Sequence, residues 1–335
     1  MKISIITTFY NSVTLGDFVH RSMKCLLNQT YRNIEFICVN DGSKDDTLSQ
    51  LNQYAETDQR IVVVDKKNEG VAQYAKAAGQ DVATGDFVML FDHDDLLSLD
   101  AIEKAVEGLN QHSDLDAISM LVKTQYLDGR VKYFSSLDRM IKDESEFQFY
   151  SINGQEMFQK TVGKYDVHFR GLIRRDKFKA VSFRYKEKLV NGDEIVERLI
   201  FKDLNRVGVC SGVYEHFIYE NSSAKSYNLK KTDLVRTDVI LRSIFKKENV
   251  FDSRRNIFEL SSYKTLVTGI KVFHSLKNTL NKEEKQFYIN RLKEGYDQLD
   301  KQIVLSNYKK SNNLYHRLLL SDFTILNLFY SIKKY

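Results

Sequence analysis

The amino-acid sequence predicts an α/β fold with a mostly parallel sheet flanked by helices, followed by a helical C-terminal extension. Two observations in the first hundred residues support the sheet. Short apolar strand segments alternate with helical segments, and the strand segments are almost continuously apolar. Strands of this kind are typical of parallel sheets that are covered on both faces. A third observation, the basic and aromatic pattern after residue 224, predicts the helical extension.

Each predicted element has a local reason in the sequence. The strands are short runs rich in Ile, Val and Phe, and the helices carry apolar side chains at helical spacing. In chain order the segments are a strand at 3–8, a helix at 15–29, a strand at 34–39, a helix at 48–55, a strand at 61–64, a helix at 71–83 and a strand at 87–91. Because ligands bind at the carboxyl ends of such strands, the residues directly after each strand are the candidates for function.

The charge of the chain is unevenly distributed along its length. The 335 residues have a formal net charge of +5, and no run is apolar and long enough to span a membrane. Residues 225–335 contain 22 Lys and Arg but 11 Asp and Glu, whereas residues 1–224 contain 28 and 34. This asymmetry predicts two regions, a domain over 1–224 and a basic helical region over 225–335.

Acidic residues follow two of the predicted strands. Asp41 and Gly42 come after the second strand, where a tight turn that begins the next helix is the structural alternative to a functional role. Asp92, Asp94 and Asp95 follow the fourth strand. Three carboxylates in four residues repel one another unless water or a cation neutralises them, and Mg²⁺ or Mn²⁺ suits such oxygen ligands. A solvated acidic loop, with Asp95 beginning a helix, is the alternative.

Four segments, in order and spacing, resemble the signatures of family 2 glycosyltransferases with the GT-A fold, a Rossmann-like mostly parallel sheet flanked by helices. The segments are Ser4-Ile5-Ile6-Thr7-Thr8-Phe9-Tyr10-Asn11, Asp41-Gly42-Ser43-x-Asp45-x-Thr47, Asn68-x-Gly70 with Lys76 and Gly85-Asp86, and the DxD-like Asp92-x-Asp94-Asp95. Three places depart from the family pattern: Thr8 and Leu99 each stand in place of a proline, and Lys76-Ala77 stands in place of Arg-Asn. Lys keeps the positive charge but loses the planar fork of Arg.

The resemblance implies a role for each matched residue. Asp41 would accept a hydrogen bond from the nucleotide base, and a carboxylate matches the N3–H donor of uracil, which favours a UDP-sugar. Asp94, with Asp92, would hold Mn²⁺ or Mg²⁺, and Asp92 would contact the ribose or a metal-bound water. The remaining donor-site residues would line the base, the ribose and the diphosphate; they are Thr8, Tyr10, Asn11, Asn68, Gly70 and Lys76.

The resemblance implies a nucleotide-sugar half over 1–112 and an acceptor half over 113–224, and it places the catalytic base in the acceptor half. The family places a Glu-Asp pair there, and this chain has the reversed order, Asp193-Glu194. Family position favours Glu194 and residue type favours Asp193, and we favour Asp193. The alternative is that both simply form the acidic first turn of a helix at Asp193–Phe201. Three histidines, His93, His168 and His216, are interpreted as surface or satisfied side chains.

The sequence pattern of the C-terminal extension predicts an amphipathic helix that lies on a membrane surface. Residues 282–303 have amphipathic spacing, and in residues 317–335 Leu319, Phe323, Leu326 and Tyr330 share one helical face. Thr324, Asn327, Ser331 and Lys334 form a polar stripe, with Lys309, Lys310 and Lys333 also flanking the helix. This pattern is typical of an interfacial helix on an anionic membrane, and packing against protein is the alternative. No nucleic-acid motif accompanies the charge.

The resemblance therefore implies an inverting, metal-dependent glycosyltransferase that moves a sugar from a UDP-sugar to a bacterial surface polysaccharide or lipid-linked glycan. A nucleotide-sugar-binding assembly protein without catalysis and a nucleotidyltransferase are the alternatives. Sparse cysteines and the lack of a signal-peptide pattern after Met1 predict a cytoplasmic protein, peripheral on the inner face of the membrane. The sequence leaves open whether the protein forms a homo-oligomer.

Overall fold

The computed structural model of the protein describes residues 1–135, 140–141, 147–164, 169–219, 228–307 and 313–332. The chain folds as two compact units. The first comprises residues 1–158, 166–188 and 196–223, and the second comprises residues 159–165, 189–195 and 224–335. Short segments from the middle of the chain thus belong to the mainly C-terminal unit.

Eleven strands in the described ranges form one sheet in the first unit. They are β1 (Ile3–Phe9), β2 (Ile34–Asp41), β3 (Ile61–Lys66), β4 (Phe87–Asp92), β5 (Leu96–Leu97), β6 (Ala117–Gln125), β7 (Val131–Ser135), β8 (Met140–Ile141), β9 (Tyr150–Asn153), β10 (Gly171–Arg174) and β11 (Arg206–Phe217). The main path runs β3-β2-β1-β4-β10-β6-β11-β5. The four strands predicted in the first hundred residues all form, each ending one or two residues later than predicted.

Strand direction and register bring the candidate residues to one edge of the sheet. Strands β3, β2, β1 and β4 are parallel, and β10 is antiparallel to both β4 and β6. Thr8 of β1 is in register with Val39 of β2 and with Asp92 of β4. The residues after β1, β2 and β4 therefore emerge side by side at the carboxyl end of the parallel strands. The predicted fold class is confirmed.

Helices pack on the sheet because their apolar faces are buried against it. The helices whose residues lie wholly or partly in the first unit are α1 (Phe18–Leu27), α2 (Thr47–Thr57), α3 (Ala72–Val82), α4 (Ala101–Gln111), α5 (Gly154–Lys160), α6 (Arg175–Lys179) and α7 (Asp193–Phe201). Ile5, Phe36 and Met89 of the strands are fully buried in one core with Leu26 of α1 and Ile102 of α4. Burial of this apolar area is the main stabilising term for the sheet that carries the site.

The second unit is helical. Its helices are α8 (Asp233–Lys247), α9 (Arg255–Leu276), α10 (Lys282–Gln298), α11 (Lys301–Ser306), α12 (Asn313–Ser321) and α13 (Phe323–Ile332), with short 3₁₀ turns at Leu229–Thr232, Asp252–Arg254 and Lys277–Thr279. Its core includes Leu266 and Ile270 of α9, Leu292 of α10, Val304 of α11 and Leu326 of α13, all buried.

Two helices predicted as continuous are each divided in the structure. The segment 282–303 breaks after Gln298, because the Asp300 carboxylate accepts hydrogen bonds from the backbone N–H groups of Gln302 and Ile303 and starts a new helix. The C-terminal segment divides in the same way at Asp322, whose Oδ1 accepts from Thr324 N at 2.6 Å. In both places a carboxylate satisfies N–H groups that a continuous helix would have bonded internally.

The apolar face predicted in the C-terminal segment packs within the second unit. Leu319, Phe323 and Leu326 are buried in its core. Asn327 does not lie on a solvated polar stripe, since its Oδ1 lies 2.7 Å from His274 Nε2 in a partly buried pair. The flanking residues Lys309, Lys310, Lys333 and Lys334 lie outside the described residues. Among the helices that the structure describes, none is both long and apolar enough to cross a membrane.

Candidate active site

Asp41 ends β2 and lies in a network of polar contacts. The residue is 6% exposed. Lys66 Nζ donates to its Oδ1 at 2.7 Å, and Asn68 Nδ2 donates to its Oδ2 at 3.1 Å. Asn68 Nδ2 also donates to the Asp41 carbonyl at 3.0 Å, so the two loops after β2 and β3 are joined. Because an ionised carboxylate has about four acceptor positions, Asp41 keeps capacity for a ligand N–H.

The loop after β2 requires glycine at position 42. Gly42 has φ of 68°, in the left-handed region, and a Cβ atom there would lie 2.6 Å from the backbone nitrogen of Asn68. The Asn68 loop has a tight turn of its own, in which Gly70 N donates to Asn68 Oδ1 at 2.7 Å. The Asp-Gly turn and the Asn68-x-Gly70 turn thus pack against each other without space for a side chain.

Asn11 links the end of β1 to the same loop. Its backbone N donates to Ser43 Oγ at 3.0 Å, and its Oδ1 accepts from Lys44 N at 2.8 Å. Asn11 has φ of 49°, a conformation that Asn tolerates better than most residues. Next to it, the Tyr10 ring is 42% exposed and Thr8 is half-buried. The predicted donor-site residues of the first two signatures therefore meet at one surface.

Asp92, the last residue of β4, forms an ion pair with a residue distant in sequence. Arg170 Nη1 lies 2.8 Å from Asp92 Oδ2, and the Arg170 guanidinium lies 4.8 Å from the centre of the Tyr214 ring. Burial lowers the pKa of Arg170, but the charges of Asp92 and other acidic groups outweigh it and raise that pKa well above its ordinary value. Arg170 is thus a fixed cation beside the acidic cluster.

The charged form of the Asp94 carboxylate is disfavoured by its surroundings. Burial raises its pKa, and repulsion from Asp92 and Asp95 raises it further. Its backbone carbonyl accepts a hydrogen bond from the Tyr219 hydroxyl at 3.1 Å, which ties the loop to the chain after β11. A cation at this position would relieve the repulsion. Asp94 therefore stays a candidate ligand for a cation.

Asp95 has a structural role in the same loop. It is 1% exposed, and its carboxylate accepts from the Tyr214 hydroxyl at 2.7 Å and from Phe217 N at 3.1 Å. His216 Nδ1 lies 3.1 Å from Asp95 Oδ1, and this hydrogen bond raises the pKa of His216. The alternative of a solvated loop is wrong for Asp95, and His216 is a satisfied histidine as predicted.

The carboxylates fit a divalent cation that also contacts substrate. Within the described ranges, no three side chains among His, Cys, Asp and Glu converge into a metal-binding group. Mg²⁺ and Mn²⁺ sites of phosphoryl substrates need only one or two protein carboxylates, since the phosphates and water supply the other ligands. Asp94, with Asp92 beside it, meets that requirement, whereas the Asp95 oxygens are already engaged by β11.

The predicted base candidates lie at the start of α7. Asp193 is half-buried, and its Oδ1 accepts from Glu194 N at 3.1 Å, whereas Glu194 is 6% exposed. Both belong to the second unit, and the acidic cluster belongs to the first. Lys76 is half-buried on α3.

Of the other two histidines, His93 and His168, the structure describes His93. His93 is half-buried and packs against the rings of Phe9 and Phe18, at centroid distances of 5.7 and 5.4 Å. His168 lies outside the described residues.

Several residues around the acidic cluster were not identified from the sequence. The ion pair of Arg170 with Asp92 spans 78 positions, and no local pattern shows such a pair. The same holds for Tyr214 with Asp95 and for Arg21, which donates to the Tyr219 hydroxyl. The antiparallel insertion of β10 beside β4 creates the first of these contacts.

Comparison with known proteins gives a consistent family. The family model described as "Glycosyl transferase family 2" matches residues 4–181. The glycosyltransferase GlyA of Streptococcus pneumoniae is 26% identical over 243 residues, which are 70% of this chain and 32% of that protein. The chain therefore spans about a third of the length of this curated relative.

Solved structures resemble the whole chain. S. aureus TarS 1–349 in complex with UDP-GlcNAc has a TM-score of 0.61 at 15% identity, covering 99% of this chain and 89% of that chain. The mannosyltransferase PcManGT from Pyrobaculum calidifontis, in complex with GDP-Man and Mn²⁺, has a TM-score of 0.52 at 14% identity, covering 98% and 85%. At these identities the likeness shows the fold.

Proposed function

The chain belongs to glycosyl transferase family 2, and on that premise we propose that it is an inverting, metal-dependent glycosyltransferase. It moves one sugar from a UDP-sugar to a hydroxyl of a growing bacterial surface polysaccharide or lipid-linked glycan. The observation that carries the proposal is the alignment of β2, β1 and β4. Their register supports a single site with Asp41 at one side and Asp92 and Asp94 at the other.

The nucleotide half of this site fits a uridine. Asp41 is held by Lys66 and Asn68 yet retains acceptor capacity, and the N3–H of uracil is a donor of matching polarity. The exposed Tyr10 ring offers a surface for stacking, and Thr8 lies between the two acidic positions. The complex of TarS with UDP-GlcNAc supports a UDP-sugar, whereas the complex of PcManGT with GDP-Man makes GDP-sugars the natural comparison.

The diphosphate half of the site combines carboxylates with fixed cations. Asp94, with Asp92, would hold Mn²⁺ or Mg²⁺, and such an ion supplies neutralisation of the charge that grows on the departing diphosphate. Arg170 holds Asp92 in place through its 2.8 Å ion pair, so the carboxylate is oriented before substrate binds. Lys76 adds a cation from α3.

The acceptor hydroxyl must lose a proton as it attacks the anomeric carbon. A general base is worth roughly 10²–10⁴-fold in rate. Asp193 and Glu194 are the candidates, and Asp193 is the more exposed of the two, which supports Asp193. Glu194 remains the alternative because it occupies the family position.

Donor binding and hydrolysis test the proposal directly. We would measure both for UDP-, GDP- and CMP-sugars, with Mn²⁺ or with a chelator, and analyse the anomer of any glycoside formed. Metal-dependent binding and slow hydrolysis of one UDP-sugar are expected, and Asp41→Asn should weaken binding of that sugar about 10-fold. The exposed Asp128 in the β6–β7 turn gives the matched control, Asp128→Asn, which should bind donor normally.

Other outcomes separate the alternatives. Metal-dependent binding without transfer to any acceptor glycan would favour an assembly protein that has lost catalysis. Release of pyrophosphate from a nucleoside triphosphate would favour a nucleotidyltransferase. Failure to bind any nucleotide sugar would overturn the proposal.

A further inference from the structure

The loop that carries Asp94 is held at the two acidic residues on either side of it. Asp95 is held by β11, whose Tyr214 hydroxyl donates to its carboxylate at 2.7 Å. Asp92 ends β4, and Arg170 Nη1 lies 2.8 Å from its Oδ2. Asp94 lies between them in the chain, and burial followed by repulsion from both neighbours raises its pKa. In the cation-free protein, electrostatic repulsion therefore favours conformations in which Asp94 moves away from the cluster.

The Tyr219 hydroxyl opposes this movement at the backbone. It donates to the Asp94 carbonyl oxygen at 3.1 Å, from the chain that follows β11. The Tyr219 side chain is half-buried, and its ring packs edge-on against Phe18 at a centroid distance of 5.3 Å. The ring also stacks beside Phe217 at a centroid distance of 6.3 Å. Because two aromatic contacts hold the ring, the hydroxyl has a defined position next to residue 94.

Arg21 of α1 sets the direction in which this hydroxyl donates. Its Nη1 donates to the Tyr219 oxygen. A guanidinium has donors and no acceptor, so the Tyr219 oxygen accepts from Arg21 and its own hydrogen is available for the Asp94 carbonyl. The guanidinium carbon of Arg21 lies 4.2 Å from the centre of the Phe217 ring, which fixes the cation in turn. Arg21, Tyr219 and Asp94 thus form a chain of hydrogen bonds with one direction.

We propose that Tyr219 is a positioning residue for Asp94, and that Arg21 supports it by orienting its hydroxyl. The hydrogen bond keeps Asp94 in the conformation that accepts a divalent cation, although repulsion favours others. When only a fraction of the protein has the binding conformation, the apparent affinity for a ligand falls by that fraction. This role rests on the proposed function, because it takes Asp94 as a cation ligand. It adds a requirement for a residue 125 positions away from Asp94.

Binding of Mn²⁺ to the full chain tests the proposal. We would titrate Mn²⁺ in the presence of UDP and follow the free ion by electron paramagnetic resonance. Tyr219→Phe keeps the aromatic ring and removes the hydroxyl, so the dissociation constant for Mn²⁺ should rise about 5-fold, as expected for the loss of one hydrogen bond. Binding of UDP in the presence of a chelator should be unchanged, because the candidate base contact, Asp41, ends a different strand.

Tyr31→Phe is the matched control. The Tyr31 hydroxyl also donates to a backbone carbonyl, that of Met1, beside the amino end of the sheet. Thermal unfolding should show a similar small loss of stability in both variants, whereas Tyr31→Phe should bind Mn²⁺ as the wild type does. An equal loss of Mn²⁺ affinity in the two variants would overturn the proposal, because general destabilisation would then explain it.

A double variant tests the part played by Arg21. Arg21→Met removes the donor and keeps an unbranched side chain beside Phe217, and it should raise the dissociation constant for Mn²⁺ about 2-fold. Combined with Tyr219→Phe, it should add nothing to the effect of Tyr219→Phe alone, because Arg21 acts through the hydroxyl. Additive effects would overturn the supporting role of Arg21.

Two further outcomes separate this proposal from the function on which it rests. If the wild type binds Mn²⁺ with UDP and Tyr219→Phe binds it equally well, the positioning role is overturned and the proposed function stands. If the wild type binds no Mn²⁺ with UDP, the proposed metal dependence and the positioning role are both overturned.

Discussion

The two ends of the parallel sheet provide opposite electrostatic environments for a buried carboxylate. At the amino end, Glu35 of β2 accepts five hydrogen bonds, from Lys2 Nζ, Ser4 Oγ, Thr84 N, Thr84 Oγ1 and Gly85 N. Burial alone would raise its pKa, but these donors lower it to about 2. At the carboxyl end, burial and two neighbouring carboxylates raise the pKa of Asp94. The sheet stabilises one charge and leaves the other with unfavourable electrostatics.

This difference separates a structural carboxylate from a proposed functional one. A group whose charge is satisfied by the protein contributes to folding, because its charged form is better solvated in the native state than in the unfolded chain. A group that the fold leaves in repulsion gains its stabilisation from a ligand instead. One sheet contains both kinds of carboxylate, because different loops meet at the amino ends and at the carboxyl ends of its parallel strands.

The largest expected effect is on catalysis at Asp94. Asp94→Asn removes the proposed cation ligand, so we expect kcat/KM to fall about 10³-fold, or about 4 kcal/mol of transition-state stabilisation. The free energy of unfolding at neutral pH should stay the same or rise, because the change also removes repulsion from Asp92 and Asp95. Steady-state kinetics and chemical denaturation measure the two effects. A stability loss with unchanged activity would remove the contrast between the two ends of the sheet.

The next effect is on stability at Glu35. Its folded pKa of about 2 lies below the ordinary value of 4.5, so its contribution is present above about pH 4.5 and is lost as pH falls towards 2. Glu35→Gln should lower the free energy of unfolding by roughly 3 kcal/mol at pH 7, with a difference from wild type that shrinks below pH 4.5. Denaturation at several pH values measures it. Glu56→Gln, at an exposed site, is the control, and an equal loss there would contradict the interpretation.

A smaller effect on stability is expected at Asp95. This residue lies at the carboxyl end of the sheet, but its carboxylate accepts hydrogen bonds from the protein as that of Glu35 does, so it tests the comparison of the two ends. Asp95→Asn should cost about 2 kcal/mol of unfolding free energy, and Tyr214→Phe about 1 kcal/mol. The double variant should cost less than the two added together, since both remove one hydrogen bond. Thermal denaturation of the three variants is the measurement. Strict additivity would show that the bond between Tyr214 and Asp95 contributes little.

The last change concerns the backbone of the donor loop, and its effect is similar in size to that of Asp95→Asn. Gly42→Ala introduces a left-handed alanine whose Cβ meets Asn68 N at 2.6 Å, so it should cost about 2 kcal/mol and weaken donor binding. Gly129→Ala has a similar φ of 82° with open space around it, and should cost about 1 kcal/mol without affecting the donor. Calorimetric unfolding and donor titration compare them. Equal effects of the two changes would mean that strain alone, and not the packed Asn68 loop, explains the cost.

Much of the candidate site could be predicted because it is encoded locally. Asp41 and Asp92 directly end their strands, and Gly42, Asn68 and Gly70 sit in turns whose residue types reflect the backbone they need. The helix at Asp193–Phe201 was predicted with the observed bounds. Strand ends, turns and helix bounds of this kind are determined by the residues within a few positions along the chain.

Contacts between residues that are distant in sequence could not be predicted from local patterns. Asp92 and Arg170 pair only because β10 inserts antiparallel beside β4, and Asp95 became structural only because β11 brings Tyr214 and Phe217 to it. The C-terminal helices gave a related error. Their apolar residues surround the helix, so the sequence could not decide which side would pack in the core.

The sequence by itself determined the alternation of strands and helices, the carboxyl-end positions of the candidate residues and the basic character of the extension. Periodicity, turn chemistry and charge are local or additive properties, and these decide such features. The tertiary structure alone decided which carboxylates are satisfied and which are not. That outcome depends on donors from distant strands, on burial and on neighbouring charge, and these exist only once the sheet has formed.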